Sequence, residues 1–253
     1  MTDTPTRRPD GAEWNAAVYH RVSQPHIDWG GRVLARLDLR GDETVLDAGC
    51  GTGRLTAEVL ERLPRGRVIA LDGSPSMIDQ ARARLGPFGE RVVYLVADLL
   101  EPIPTGPVDA ILSTATFHWI PDHPRLFRNL AAVLRPRGRL VAQCGGEGNI
   151  ASVRAVVAEL LGPVETNVYA SPDVTRTCLL QAGFTDVECW LTPEPTELEA
   201  GEPFERYLRT VCLGAHLERL PAAERDAFVR EVARRLGRPH LDYVRLNILA
   251  TRA

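Results

Sequence analysis

The chain has 253 residues, 44% of them apolar and 25% charged, with a formal net charge of −3. That length and balance suit one large domain with an ordinary core. The weak negative charge supplies no overall field to attract nucleic acid or an anionic membrane. All 30 basic residues are arginine, which removes Schiff-base lysines and a P-loop lysine from consideration. Five scattered cysteines (Cys50, Cys144, Cys178, Cys189 and Cys212) form no C-x-x-C pair, a pattern that fits a reducing compartment without structural zinc. No run reaches the length of a membrane span, and the opening MTDTPTRRPDGAEW lacks the apolar centre of a secretory signal. The expected location is cytoplasmic.

In chain order, Glu13 to Leu37 carries helical spacing, with Val18, Val22, Ile27, Val33, Leu34 and Leu37 as inward positions. ETVLD (43–47) is a short apolar strand that runs into glycines at 49, 51 and 53, and RLTAEVLERL (54–63) is a helix ended by Pro64 and Gly66. The alternation repeats: strand 67–72, a helix from Pro75 to Leu85, strand 92–98, strand 108–113, a helix from Pro124 to Leu134, and strand 138–144. Strands that alternate with helices, each a continuous apolar run, predict a parallel sheet covered on both faces. Beyond Cys144 the spacing predicts helices at 150–161 and 172–182, a strand at 185–191, and helices at 204–217 and 221–236. LDYVRLNILATR closes the chain as an alternating strand.

The glycine cluster VLDAGCGTGRL (45–55) needs a reason, since glycine costs backbone entropy. At the carboxyl end of the first strand it lies where open parallel sheets bind ligands, and it would let the backbone and the amides of the next helix approach one closely. A dinucleotide fingerprint would place its third small residue at Arg54, which is bulky and charged. Asp47 at the strand's end would repel a pyrophosphate and suits an ammonium or sulfonium group instead. Asp72 ends the second strand about twenty residues on, where a carboxylate accepts from ribose hydroxyls. Asp98 ends the third, where it suits an adenine amino group. Together the three acids and the glycines describe a site for a cationic, ribose-bearing adenosine compound.

The blocks VLDAGCGTG, ALDGSPSMIDQARARL, VADLLEPIP, VDAILSTATFHWIPD and LRPRGRLV, in this order, resemble class I S-adenosylmethionine-dependent methyltransferases. EWNAAVYHRVSQP, TATFHWIPDH, AGFTDVECW, FERYLRTVCLGAHLERLPAAERDAF and VRLNILATR are similar to segments of trans-aconitate methyltransferase-like proteins. The resemblance implies an α/β, doubly wound, mostly parallel seven-stranded Rossmann-like sheet. It would carry an N-terminal helical lid (1–37), a cofactor-binding core (38–145), and the rest of the sheet with a substrate-side helical insertion before the last strand (146–253). It implies S-adenosyl-L-methionine as cofactor, with Asp47, Gly49, Cys50 and Gly51 at its methionine end and Asp72 and Gly73 at the ribose. Met77, Ala97, Asp98 and Leu99 would lie at the adenine, and Ser113 and Thr114 would face the methyl group. Tyr19, Arg21 and Gln24 would close a lid.

The acceptor is expected to be a small molecule, with no nucleic acid and no membrane as partner and a monomer or homodimer as the working form. Tyr19, His118, Trp119 and Arg245 are the candidate acceptor-binding residues, and His118 is either a base or a pocket wall. CLGA (212–215) and GGEGN (145–149) depart from the family's pattern on the substrate side, which argues against trans-aconitate as the acceptor. The histidines show no metal spacing, and no metal site is expected. STATF stands where amino-methylating DNA enzymes carry an Asn/Asp-Pro-Pro-aromatic block, which disfavours a macromolecular substrate. A non-catalytic binding protein and a nicotinamide dehydrogenase are the remaining alternatives, the first disfavoured by the intact glycines and the second by Arg54.

Overall fold

The computed structural model describes residues 24–163 and 166–253, the first five of them as backbone only. Seven strands form one sheet in the order β3-β2-β1-β4-β5-β9-β6. They are β1 (Thr44–Ala48), β2 (Arg67–Asp72), β3 (Val92–Val96), β4 (Val108–Thr114), β5 (Leu134–Gly145), β6 (Phe184–Pro193) and β9 (Val244–Arg252). Strands β1 to β5 pair in parallel, and β9 runs antiparallel between β5 and β6. The chain order reverses at β1, which has β2 on one side and β4 on the other. The glycine stretch therefore leaves β1 at the crevice where such sheets bind ligands.

Helices cover both faces. On one side lie α1 (Gln24–Ala35), α2 (Arg54–Glu61) and α3 (Pro75–Leu85). Val33, Leu34, Val59, Leu60, Ile78 and Leu85 from these helices pack on Val45, Val68 and Leu112 of the sheet. On the other side, α4 (His123–Val133) and α6 (Pro172–Gln181) bury Leu126, Phe127, Leu130 and Leu179 against Leu46, Ile111, Leu140 and Leu246. The inner strands β1 and β2 read as unbroken apolar runs because both of their faces are buried, whereas the edge strand β3 exposes Val93 and Val96. Pro75 begins α3 and Ser74 caps it, accepting from the Met77 amide at 3.4 Å.

A third cluster forms a cap beside the carboxyl ends of the strands. It joins Trp29 of α1 to α5 (Ala151–Leu161), α7 (Glu202–Tyr207), α8 (Gly214–Glu218) and α9 (Ala222–Leu236). The sequence predicts one helix over 204–217, but the chain instead makes α7, a π-helical turn over Leu208–Cys212, and α8. The Leu213 amide reaches back five residues to the Leu208 carbonyl at 2.8 Å. The extra residue has a packing reason. Leu208, Leu213 and Leu217 are all buried, and spacings of five and then four fall on one face only if the turn is widened.

Two short strands, β7 (Thr196–Glu197) and β8 (His240–Leu241), pair antiparallel at the cap's edge. At two residues each they are too brief to show a sequence period. The third strand stops at Val96 rather than at Asp98, because the Asp98 carboxylate turns back to accept from the Leu100 amide at 2.8 Å. Among the described residues no helix is long and apolar enough to cross a membrane.

Candidate cofactor and acceptor site

The loop after β1 is held by its neighbour. The amides of Gly49 and Cys50 both donate to the Leu71 carbonyl, at 2.8 and 2.9 Å. The Gly51 amide donates to Asp72 Oδ2 at 2.9 Å, and the Ser74 amide to Asp72 Oδ1 at 2.9 Å. The first amides of the loop are therefore spent inside the protein rather than aimed at a ligand, and Asp72 serves as the staple between the β1 loop and the start of α3. A carboxylate offers about four acceptor sites, so Asp72 keeps capacity for an outside hydroxyl. Burial raises Asp72 above the usual carboxylate range, while these backbone donors pull it down.

Gly49 has φ 89°, and a Cβ there would lie 2.1 Å from Thr116 Oγ1. Only glycine can sit where the loop crosses the turn after β4. At Gly51, with φ 54°, a Cβ would meet nothing within 4 Å. The backbone there faces open space of the kind a ligand pressed against the loop would fill.

Asp47 is 2% exposed, and Thr56 Oγ1 donates to its Oδ2 at 2.6 Å. Burial pushes its carboxyl from 3.8 up to about 7, with the nearby Asp72 charge adding to the rise and the Thr56 hydroxyl opposing it. No basic side chain forms an ion pair with it among the described residues. A desolvated carboxylate of this kind is balanced by a cation from outside, so the residues present fit a sulfonium nucleoside bearing an ammonium group. Met77 and Leu99 are buried at 4% exposure each, and the Ala97 amide donates to the Asp72 carbonyl at 3.2 Å. Gly73, Ala97 and Asp98 line up half-buried beside β2 and β3. Ser113 donates to the Ala48 carbonyl at 2.6 Å, which fixes β4 against β1 just before Thr114. Tyr19 and Arg21 lie outside the described residues, and Gln24 opens α1.

Past Thr114 the chain turns through Ala115, whose φ is 55°, and Thr116, whose hydroxyl lies on the carbonyls of Thr114 (3.0 Å) and Gly49 (3.4 Å). Ala115 then lines a cavity with His118, Trp119, Asn149, Tyr169, Tyr243 and Arg245. Three of the four residues predicted for the acceptor thus meet in one place, one residue from the glycine loop's partner Thr116. Arg245, on β9, is 2% exposed, and its guanidinium carbon lies 4.5 Å from the centre of the Trp29 ring.

His118 stacks on Tyr169 with ring centres 5.9 Å apart, and its Nδ1 accepts a long hydrogen bond of 3.4 Å from the Gly145 amide. With that contact the proton of a neutral ring would sit on Nε2. Burial pushes the Tyr169 phenol and the Cys212 thiol each up to about 12, and it raises Tyr243, which shares a 2.8 Å hydrogen bond with Tyr207. Apart from His118, the titratable phenols and thiol of the cavity wall stay protonated at neutral pH.

The sequence reading missed Asn149, Tyr169, Cys212 and Tyr243 as lining residues. Tyr243 stands two residues before Arg245 at the mouth of an alternating strand, so its parity carried a signal. Asn149 and Cys212 lie in GGEGN and CLGA, the two segments the sequence placed on the substrate side, while Tyr169 carried no signal.

The chain is similar to known methyltransferases. Residues 45–138 match the family described as Methyltransferase domain. A trans-aconitate 2-methyltransferase of Methylobacterium radiotolerans is 30% identical over 267 residues, covering 96% of this chain and 99% of that relative. One from Escherichia coli K12 is 28% identical over 258 residues, covering 95% and 99%. Among solved structures, the YcgJ protein from Bacillus subtilis superimposes with a TM-score of 0.64 at 17% identity, over 90% of this chain and 99% of that one. A Haemonchus contortus phosphoethanolamine N-methyltransferase 2, solved with S-adenosylhomocysteine, gives 0.61 at 18% identity, over 93% and 56%. A β1 glycine loop stapled by Asp72, a buried uncompensated Asp47 and this whole-length likeness lead to one conclusion: the chain belongs to the trans-aconitate methyltransferase family of class I S-adenosylmethionine-dependent methyltransferases.

Proposed function

We propose that this methyltransferase esterifies a carboxylate oxygen of a small organic acid in the cytoplasm. The observation that carries the reading is the buried Arg245 guanidinium in the wall of the cavity beyond Ala115. A guanidinium recognises a carboxylate through paired donors. His118 stands in the same wall, and the raised Tyr169 and Cys212 stay protonated at neutral pH. A hydroxyl or amine acceptor would need a base to remove its proton, whereas a carboxylate arrives already ionised. The family's trans-aconitate methyltransferases, named for a carboxylic acid, point the same way.

S-adenosylmethionine supplies an electrophilic methyl group and leaves as the neutral thioether. The protein's own part is positioning. Asp47 would balance positive charge at the β1 loop, Asp72 and Gly73 would hold the ribose, and Met77, Ala97, Asp98 and Leu99 would enclose the adenine. Gly49, Cys50, Gly51, Ser113 and Thr114 would shape the passage between the two ligands, while Tyr19, Arg21 and Gln24 would cover it. Arg245 fixes the acceptor carboxylate, and Trp119 and His118 bound it. A new O–CH3 bond forms as the S–CH3 bond breaks, and no proton changes hands. Holding the reactants in line supplies up to roughly 7–11 kcal/mol of the acceleration.

The test is a panel of carboxylic acids, phenols and amines, with methyl ester and S-adenosylhomocysteine read by mass spectrometry. Esters are expected from acids alone. Arg245→Met should lose about 30-fold or more in kcat/KM, the cost of removing one member of a buried charge pair, while its affinity for S-adenosylhomocysteine stays within threefold. Turnover of phenols or amines only, or an Arg245→Met enzyme as active as the parent, would refute the reading.

A further inference from the structure

The cavity continues beyond Arg245. A second compartment of about 120 Å³ shares Ile150, Asn167, Tyr169 and Cys212 with the first. Its own walls are Val153, Val157, Ala158 and Pro163, joined by Arg154, Thr166 and His216. Val153 and Val157 are 2% and 3% exposed and lie one turn apart, so they present a single apolar face of α5. Of its charged lining, Arg154 is solvent-exposed and stacks 5.3 Å from the centre of the Tyr169 ring, which places it at the rim. At the junction of the two compartments, Asn167 Nδ2 is buried and makes no hydrogen bond among the described residues. A buried amide donor of this kind calls for an oxygen.

The compartment is close in size to an apolar cavity of about 150 Å³ that stays dry and accepts benzene. The volume and lining together describe a polar head site leading into a compartment with one apolar wall, formed by Val153, Val157, Ala158 and Pro163. A tricarboxylate here would set further charges against Val153 and Val157, and a buried unpaired carboxylate is strongly disfavoured.

Resting on the methyl-ester reading of the same cavity, we propose that the acceptor is a monocarboxylic acid with an aliphatic or aryl tail of about the bulk of benzene. Its carboxylate lies between Arg245 and Asn167, and its tail lies along Val153 and Val157. The protein's specificity then comes from an apolar wall rather than from additional cations.

The experiment measures kcat/KM for acetate, butyrate, hexanoate, phenylacetate, adipate and trans-aconitate with the full chain and saturating S-adenosylmethionine. Each methylene that enters the compartment is expected to add about fourfold, so hexanoate or phenylacetate should exceed acetate by at least tenfold and trans-aconitate by at least tenfold. Val157→Phe should shift the optimum to shorter acids, and Val157→Ala should shift it to longer ones, so the proposal stands on either variant that folds. Preference for trans-aconitate or adipate, or an optimum that neither variant moves, would overturn it while leaving carboxylate methylation in place. If no acid is esterified although S-adenosylhomocysteine binds, the underlying reading fails as well.

Discussion

Replacing Asp47 with asparagine tests the electrostatic logic of the cofactor site. The carboxyl is 2% exposed and is pushed from 3.8 to about 7, chiefly by burial. A rise of that size corresponds to roughly 4 kcal/mol of preference for the neutral form in the folded state. The native protein keeps a proton that the unfolded chain gives up, so wild-type stability should fall as pH climbs from about 4 to about 7 and then level off. Asparagine removes the charge and still accepts from Thr56, but it buries an amide donor whose loss of hydrogen bonding costs about 1–3 kcal/mol. The expected result is a change of sign. Without ligand, Asp47→Asn should be about 1–3 kcal/mol more stable than wild type at pH 8, a Tm higher by several degrees, and less stable at pH 4. Its affinity for S-adenosylmethionine should fall at least tenfold. Thermal unfolding at the two pH values with calorimetric titration at pH 8 reads all three. A stability difference that is the same at both pH values, or a variant that binds as tightly as wild type, would refute the reasoning.

Two glycine substitutions should separate internal packing from ligand approach. Gly49→Ala forces a Cβ to 2.1 Å from Thr116 Oγ1 at φ 89° and should cost about 2–4 kcal/mol, visible in denaturant unfolding. Gly51→Ala meets only its left-handed backbone strain, about 1–2 kcal/mol, yet it should weaken S-adenosylhomocysteine binding at least tenfold. His118→Gln should lower kcat/KM by less than about tenfold and leave the pH–rate profile unchanged on the acidic side, where a general base would titrate. A general base would cost about 10²–10⁴-fold, so a loss of that size would show that the ring takes a proton after all.

The cofactor half of the site was legible because its residues sit at fixed offsets from strand ends. Asp47 and the glycines follow β1, and Asp72 closes β2, so a reader who finds the strands finds the acids. What spacing could not show is how those groups are spent. Gly49 and Cys50 give their amides to Leu71, and Asp72 holds Gly51 and Ser74, contacts that exist only once β2 lies beside β1. The acceptor cavity was less legible still. His118, Asn149, Tyr169, Cys212 and Arg245 span more than a hundred residues and meet because β9 inserts between β5 and β6. The π-helical turn was hidden for a related reason: its cause is the burial of Leu213 and Leu217 in a cap that local periodicity does not describe.

Gly145 and Arg245 are direct partners in the antiparallel ladder between β5 and β9, and Gly145 is also the residue whose amide tethers His118. The imidazole and the guanidinium are therefore indexed to a single rung of the sheet. A slip of one residue would send Arg245 to the opposite face among the leucines, so the spacing between the two groups is locked by main-chain pairing rather than by side-chain contacts. Residues of the surrounding helices, and with them the shape of the cavity, can then be exchanged without moving this pair of fixed points.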